Sequence, residues 1–175
     1  MQQGGGGLGR HSFSGVGTLT AAHEHFASAF IRVFLGHAAR PFAGNKNAPV
    51  IVIATPTGQI HEMGALLVGA AAANLGWHVT YLGASLPAAQ IAGAARQKKA
   101  RAVALSLVYP SYDPQIVDEL KCLRELLPSD VAIIVGGRAM TDYNEVLESI
   151  GARQVKGLEQ LASALNDLRK PALKR

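Results

Sequence analysis

Hydrophobic positions follow two regimes along this chain. Between Thr18 and Leu35, Leu19, Ala22, Phe26, Ala29, Phe30 and Val33 recur at three- and four-residue steps, which predicts one amphipathic helix. Pro41, Gly44 and Asn45 then mark a linker. From Pro49 onward, short β-branched runs alternate with alanine- and leucine-rich stretches. Pro49–Ala54, Trp77–Leu82, Ala102–Leu107 and Val131–Val135 read as buried strands, with Gln154–Val155 as a short fifth. Between them, helices are expected at Glu62–Leu75 (stopped at Gly76), from Ser85 as N-cap and Pro87 through about Gln97, at Pro114–Leu127, at Asp142–Ser149 and at Leu158–Leu168. Alternating βα units of this length predict an α/β fold, a flavodoxin- or Rossmann-like five-stranded parallel sheet with helices on both faces.

The preceding residues divide further. Residues 1–17 carry Gly4–Gly7, Gly9, Gly15 and Gly17 and are expected to form a flexible tail. Residues 18–47 hold the amphipathic helix and its linker, and residues 48–175 the α/β domain. No apolar centre of a signal peptide stands in Met1–Gly17, and the longest apolar run, near Ala65–Ala73, is too short to span a bilayer. The single cysteine, Cys122, excludes an internal disulfide and fits a reducing cytoplasm. A net charge of +5 and a pI near 9.6 raise the question of nucleic acid. The basic residues are dispersed, apart from Arg96–Lys98–Lys99–Arg101 and Arg169–Lys170–Lys174–Arg175. Neither group is interleaved with aromatics, so a solvated surface is expected and direct DNA binding is not.

In a doubly wound sheet of order 2-1-3-4-5, ligands sit outside the carboxyl ends of strands one, three and four, where the order reverses. Three features fall on the loops there. After strand one comes Thr55-Pro56-Thr57-Gly58-Gln59-Ile60-His61-Glu62-Met63-Gly64. At the end of strand three come Ser106, Leu107, Val108 and Tyr109, and after strand four Gly136 and Gly137. His61, on a glycine-containing loop, can reach away from the sheet as a metal ligand. Gly64 and the Gly136–Gly137 pair let a bulky group approach the backbone. An acidic cluster of the response-regulator kind is missing after strand one, and Thr57-Gly58-Gln59 does not supply a dinucleotide fingerprint. Flavin binding would leave His61 without a role.

This constellation resembles the cobalamin-binding domain, whose fingerprint is Asp-x-His-x-x-Gly, then Ser-x-Leu, then Gly-Gly. Ser106 follows His61 by 45 positions and Gly136 follows Ser106 by 30, close to the family spacing. The resemblance covers roughly Pro49–Met140. It implies that His61 replaces the cofactor's own base as the lower cobalt ligand. The displaced nucleotide arm would enter past Gly64, Ser106 and Gly136–Gly137, with Ser106 bonded to the buried base. Gln59, Ile60, Glu62, Met63, Leu107, Val108 and Tyr109 complete the implied cofactor contacts, and the cofactor is adenosyl-, methyl- or hydroxocobalamin. At Gln59 the chain departs from the family, which usually has a carboxylate there. A glutamine can accept a hydrogen bond from the imidazole but takes up no proton near neutral pH, which argues against a methyl-transferring corrinoid carrier.

The helix before the sheet resembles the last helix of the cap in light-sensing B12 regulators of the MerR-related photoreceptor type. There a Trp-x9-Glu-His motif lines the upper corrin face. Glu24 and His25 match the Glu-His pair. The tryptophan position falls on Ser14, and a neighbouring position that can carry a second histidine ligand falls on Gly15. Gly76-Trp77-His78-Val79-Thr80-Tyr81-Leu82-Gly83-Ala84 is also similar to that subgroup. The rest of the cap and the DNA-binding domain find no match here, so their roles do not transfer. His25 and His23, with His11, are candidate upper ligands of cobalt. The resemblance implies a B12-dependent sensor of light or of B12, working through homo-oligomerisation or a transcription-regulator partner and not as an enzyme. The alternatives are a corrinoid subunit of a methyltransferase or mutase, and simple B12 storage.

Overall fold

The computed structural model describes residues 47–169. The glycine-rich tail, the predicted helix over 18–35 and the basic end beyond 169 lie outside the described residues. The sheet has five parallel strands in the order β2-β1-β3-β4-β5, as the alternating pattern predicts. The strands are β1 (Val50–Pro56), β2 (His78–Leu86), β3 (Ala102–Ser106), β4 (Ala132–Gly136) and β5 (Arg153–Gln154). The helices are α1 (Met63–Asn74), α2 (Ala88–Gln97), α3 (Pro114–Leu126), α4 (Asn144–Ser149) and α5 (Leu158–Arg169), with a 3-10 turn at Met140–Tyr143 before α4.

Because side chains alternate across a strand, each central strand feeds two cores. Val52, Val103, Leu105, Ile133 and Val135 point to one face, where Ile91 of α2 and Ile116, Leu120 and Leu123 of α3 cover them. Ile51, Ile53, Ala104 and Ile134 point to the other, against Ala65 and Ala72 of α1 and Leu161 and Leu165 of α5. The α1 sequence carries no charged side chain and buries Ala65, Gly69, Ala70, Ala72 and Ala73, small residues that let it lie close on the sheet. A Cβ at Gly69 would stand 3.7 Å from both Ile53 and Val79.

Helix ends follow local chemistry. At the end of α1, Gly76 takes φ +75°, Gly76 N donates to Ala73 O at 2.9 Å, and Trp77 N donates to Ala72 O at 3.0 Å. That is a Schellman stop, with Trp77 buried beneath it. Asp113 caps α3, its carboxylate accepting from Gln115 N at 2.9 Å with Pro114 in the first turn.

The expectation for Ser85 needs correction. β2 does not end at Leu82 but runs to Leu86, pairing Gly83 with Ala54 and Leu86 with Pro56 across two register shifts. Ser85 lies in that extension at φ +57°, and its hydroxyl accepts from Gly58 N at 3.1 Å. Pro87 occupies the cap position of α2 and has no side chain to serve it. Glu119 of α3 does so instead, accepting from Ala88 N at 2.5 Å. A cap supplied from 31 residues away leaves no local trace in the sequence.

Candidate functional site at the carboxyl edge of the sheet

The three loops expected to carry chemistry meet at one edge. β1 and β3 pair through Ala54 and Leu105, and β3 and β4 through Ser106 and Gly136, so the three strand ends sit side by side. The β1–α1 loop folds back over them. Gln59 N donates to Pro56 O at 2.9 Å, and the Gln59 carbonyl accepts from Ser85 N at 3.2 Å and from the Thr55 hydroxyl. Thr55 Oγ1 in turn accepts from Ser85 N at 2.9 Å. This mesh ties the loop to the extended end of β2 and lifts Ile60 and His61 into solvent, Ile60 being 69% exposed.

The ring of His61 is exposed and meets Tyr109 edge-on, with centroids 6.4 Å apart and planes at 80°. Tyr109 is 59% exposed on the loop after β3. Glu62 is half-buried and accepts from the Tyr81 hydroxyl of β2 at 2.5 Å, so the carboxylate beside His61 is tied to the sheet. Met63 opens α1, half-buried; Leu107 is fully buried and Val108 partly so.

Beneath the histidine loop the glycines do specific work. A Cβ on Gly64 would stand 2.8 Å from Ser106 Oγ, so the start of α1 lies directly against the end of β3. Gly137, at φ +106°, could not carry one at all, since it would meet Leu107 O at 2.2 Å. A Cβ on Gly136 would press on Val155 O at 3.1 Å. Leu107 N donates to Gly136 O and Ala139 N to Leu107 O, which fixes the β3 and β4 loops against each other.

Three buried polar atoms of this edge have no hydrogen-bond partner among the described residues: Ser106 Oγ, Gln59 Nε2 and Thr57 Oγ1. Buried polar groups are ordinarily satisfied, and a cluster of exceptions marks a place where a ligand supplies the partners. A small-residue seam beside unsatisfied hydroxyl and amide groups, with an exposed imidazole above, fits a cofactor with a metal to ligate and a polar arm to bury. Among the described residues no three His, Cys, Asp or Glu side chains gather to hold a metal by themselves.

All the predicted site residues between Gln59 and Gly137 therefore reach one edge. Glu24, His25 and His23 lie outside the described residues. Sequence reasoning takes Ser85 as a helix cap and Thr55 only as the start of the loop after strand one, and misses that the two hold the histidine loop. Nothing in a serine two positions before a proline separates a cap from a strand-end tether.

A cavity of about 930 Å³ lies at the opposite, amino-terminal edge, among Pro49, Trp77, Lys98, Lys99, Arg101 and Arg169. It draws together parts of the two basic groups, with Arg101 Nη1 donating to Arg169 O at 3.4 Å. No helix of the described residues is long and apolar enough to cross a membrane.

Comparison with known proteins gives the family. The chain is 34% identical over 152 residues to the HTH-type transcriptional repressor CarA of Myxococcus xanthus, covering 86% of this chain and 52% of that protein. It is 34% identical over 146 residues to CarH, an HTH-type transcriptional repressor of the same organism, covering 82% and 48%. The chain thus spans about half the length of these curated relatives. The monomethylamine corrinoid protein of Methanosarcina barkeri shares the fold, with a TM-score of 0.61 at 22% identity over 81% of this chain and 66% of that one. The B12 binding domain model matches residues 49–164, the span from the start of β1 into α5, and the chain belongs to that family.

Proposed function

We propose that this chain binds cobalamin with His61 as the lower cobalt ligand and uses it to sense light or B12. The observation that carries the binding mode is the contact between Gly64 and Ser106. At Gly64 the backbone of α1 approaches a buried hydroxyl that has no partner among the described residues. The nucleotide arm would be held there and along Gly136–Gly137, while Gln59, Ile60, Glu62, Met63, Leu107, Val108 and Tyr109 surround the lower face. When bound, an alkylcobalamin supplies a cobalt–carbon bond that light can break, and a metal whose axial ligands can change.

The chain's own residues do the rest. The Thr55–Gln59–Ser85 mesh holds the His61 loop at a fixed height above the sheet. Tyr109 shields one edge of the imidazole. On the upper side, Glu24 and His25 are assigned to the cofactor contact, with His25 or His23 as upper ligand. Spectra of His23→Ala, His25→Ala and His11→Ala proteins test that assignment, and three unchanged aquo-type spectra count against it.

Sensing is favoured by the similarity to CarA and CarH, both transcriptional repressors by name. The signal would pass through self-association or a transcription-regulator partner, in the cytoplasm. A corrinoid carrier for methyl transfer is disfavoured by Gln59, which offers no carboxylate to share the imidazole proton. The deciding experiment loads the protein in darkness with adenosyl-, methyl- or hydroxocobalamin, then follows absorption and molecular mass before and after illumination. Photoconversion with a change of mass supports sensing. Light-insensitive assembly with methyl transfer to a partner subunit supports the carrier, and a chain that stays colourless ends the proposal.

A further inference from the structure

Gln59 stands two positions before His61 and is fully buried. Its Oε1 accepts two backbone N–H groups of the loop after β3, Val108 at 2.6 Å and Tyr109 at 3.1 Å. An amide oxygen has two lone pairs, so both are taken. The two ends of the amide cannot be exchanged, because the NH2 group would then face two donors. What remains is Nε2, buried and without a partner among the described residues. A buried donor left unpaired is costly, since it gives up its bonds to water and gains none in return.

These bonds change what a glutamine at this position can do. Its oxygen is no longer free to accept from the His61 ring, so the simple picture of an amide replacing a carboxylate as imidazole partner does not hold. Nor does a neutral imidazole bound to metal through one nitrogen offer Nε2 an acceptor, since its other nitrogen carries a proton. The spare donor finds no oxygen among the described residues, so its acceptor has to come from outside them. The corrin periphery with its side-chain amides, and the nucleotide arm with its phosphate, present such oxygens.

We infer that Gln59 is a two-ended binding residue. Its oxygen locks the loop after β3, holding Tyr109 edge-on to His61, and its amide nitrogen donates to an oxygen of the bound corrinoid. The second half rests on the cobalamin site proposed above; the first stands on the protein alone. A carboxylate here would keep the loop lock but lose the donor.

The test compares the full chain with its Gln59→Glu and Gln59→Met variants by two measurements. Amide hydrogen exchange of Val108 and Tyr109, in protein without cofactor, reads the lock. Titration with hydroxocobalamin reads the donor, and titration with cobinamide, which keeps the ring amides and lacks the phosphate, locates the acceptor. Gln59→Glu is expected to keep the slow exchange and to bind hydroxocobalamin about tenfold more weakly, the size of one good hydrogen bond. Gln59→Met is expected to lose both. A penalty that persists with cobinamide places the acceptor on the ring, and one that vanishes places it on the nucleotide arm. Unchanged or tighter hydroxocobalamin binding by Gln59→Glu overturns the donor role. Equal exchange in wild type and Gln59→Met overturns the lock. Failure of the wild type to take up hydroxocobalamin overturns the donor role together with the site, while the exchange result still decides the lock.

Discussion

Gly64 and Ser106 lie in contact across the seam between α1 and β3, with 2.8 Å between the serine oxygen and the place a Cβ would occupy at residue 64. That distance is too short for two ordinary side chains. Yet the obstacle is a hydroxyl that can rotate, not backbone. A Gly64→Ala protein should therefore fold, because alanine gains about 1 kcal/mol of helix propensity over glycine and offsets much of the crowding. We expect an unfolding free energy within about 1 kcal/mol of wild type. Cobalamin uptake should fall at least tenfold, since the methyl occupies the cradle. Urea melts and a hydroxocobalamin titration check the two halves, and a large loss of stability with intact binding would contradict both.

Ser106 presents the complementary case. Its hydroxyl is buried, 4% of the residue being exposed, and has no partner among the described residues. Ser106→Ala removes an unsatisfied polar group and should leave the cofactor-free protein as stable as before, or more stable by about 1 kcal/mol. If Ser106 bonds the buried nucleotide base, the same variant should bind cobalamin several-fold more weakly yet bind cobinamide, which has no base, as wild type does. Equal losses for both ligands would move the role of Ser106 away from the base.

Gly137 serves the fold in a stricter way. At φ +106° its hydrogen points at the Leu107 backbone, and a Cβ would meet Leu107 O at 2.2 Å and Leu107 N at 2.8 Å. No rotamer relieves a clash between two backbones. Gly137→Ala should destabilise the protein by about 2–4 kcal/mol, combining left-handed strain with forced separation of the β3 and β4 loops. Chemical denaturation measures it, and a change below about 0.5 kcal/mol would show that these loops part freely.

How much of this was legible beforehand divides by distance along the chain. The βα alternation followed from hydrophobic runs and short-range punctuation, and the placing of His61, Ser106 and Gly136–Gly137 on one edge from the flavodoxin-like strand order that goes with it. The Schellman stop at Gly76 was equally local. The extension of β2 through Gly83 and Ser85 was not, because a serine two positions before a proline reads as a helix cap when nothing reveals the pairing of Gly83 with Ala54 and of Leu86 with Pro56. The role of Gln59 was hidden for the same reason. Its partners, Val108 and Tyr109, lie 49 and 50 residues away, and backbone N–H groups carry no residue signature. Sequence pattern locates loops; it does not say which backbone groups a buried amide will find.

The remaining prediction concerns Tyr143, at the end of the 3-10 turn before α4. It is 1% exposed and stacks on Tyr112 with centroids 5.7 Å apart, its hydroxyl reaching Pro110 O at 3.4 Å. Burial raises its pKa above the ordinary tyrosine value; a hydrogen bond with the Asp113 backbone opposes the rise, while the charges of Asp113 and Asp142 and the neighbouring Tyr112 add to it. The neutral phenol is therefore favoured in the folded state relative to the unfolded one. Above a pH of about 10 the unfolded chain loses this proton while the folded chain keeps it. Stability assigned to Tyr143 is then complete below that pH and declines as the pH climbs toward the folded value. Tyr143→Phe keeps the stacked ring and gives up one long hydrogen bond, so it should cost about 1 kcal/mol or less at neutral pH. It should also flatten the alkaline decline. Urea denaturation of both proteins between neutral and strongly alkaline pH tests this, and parallel curves would remove Tyr143 as the source.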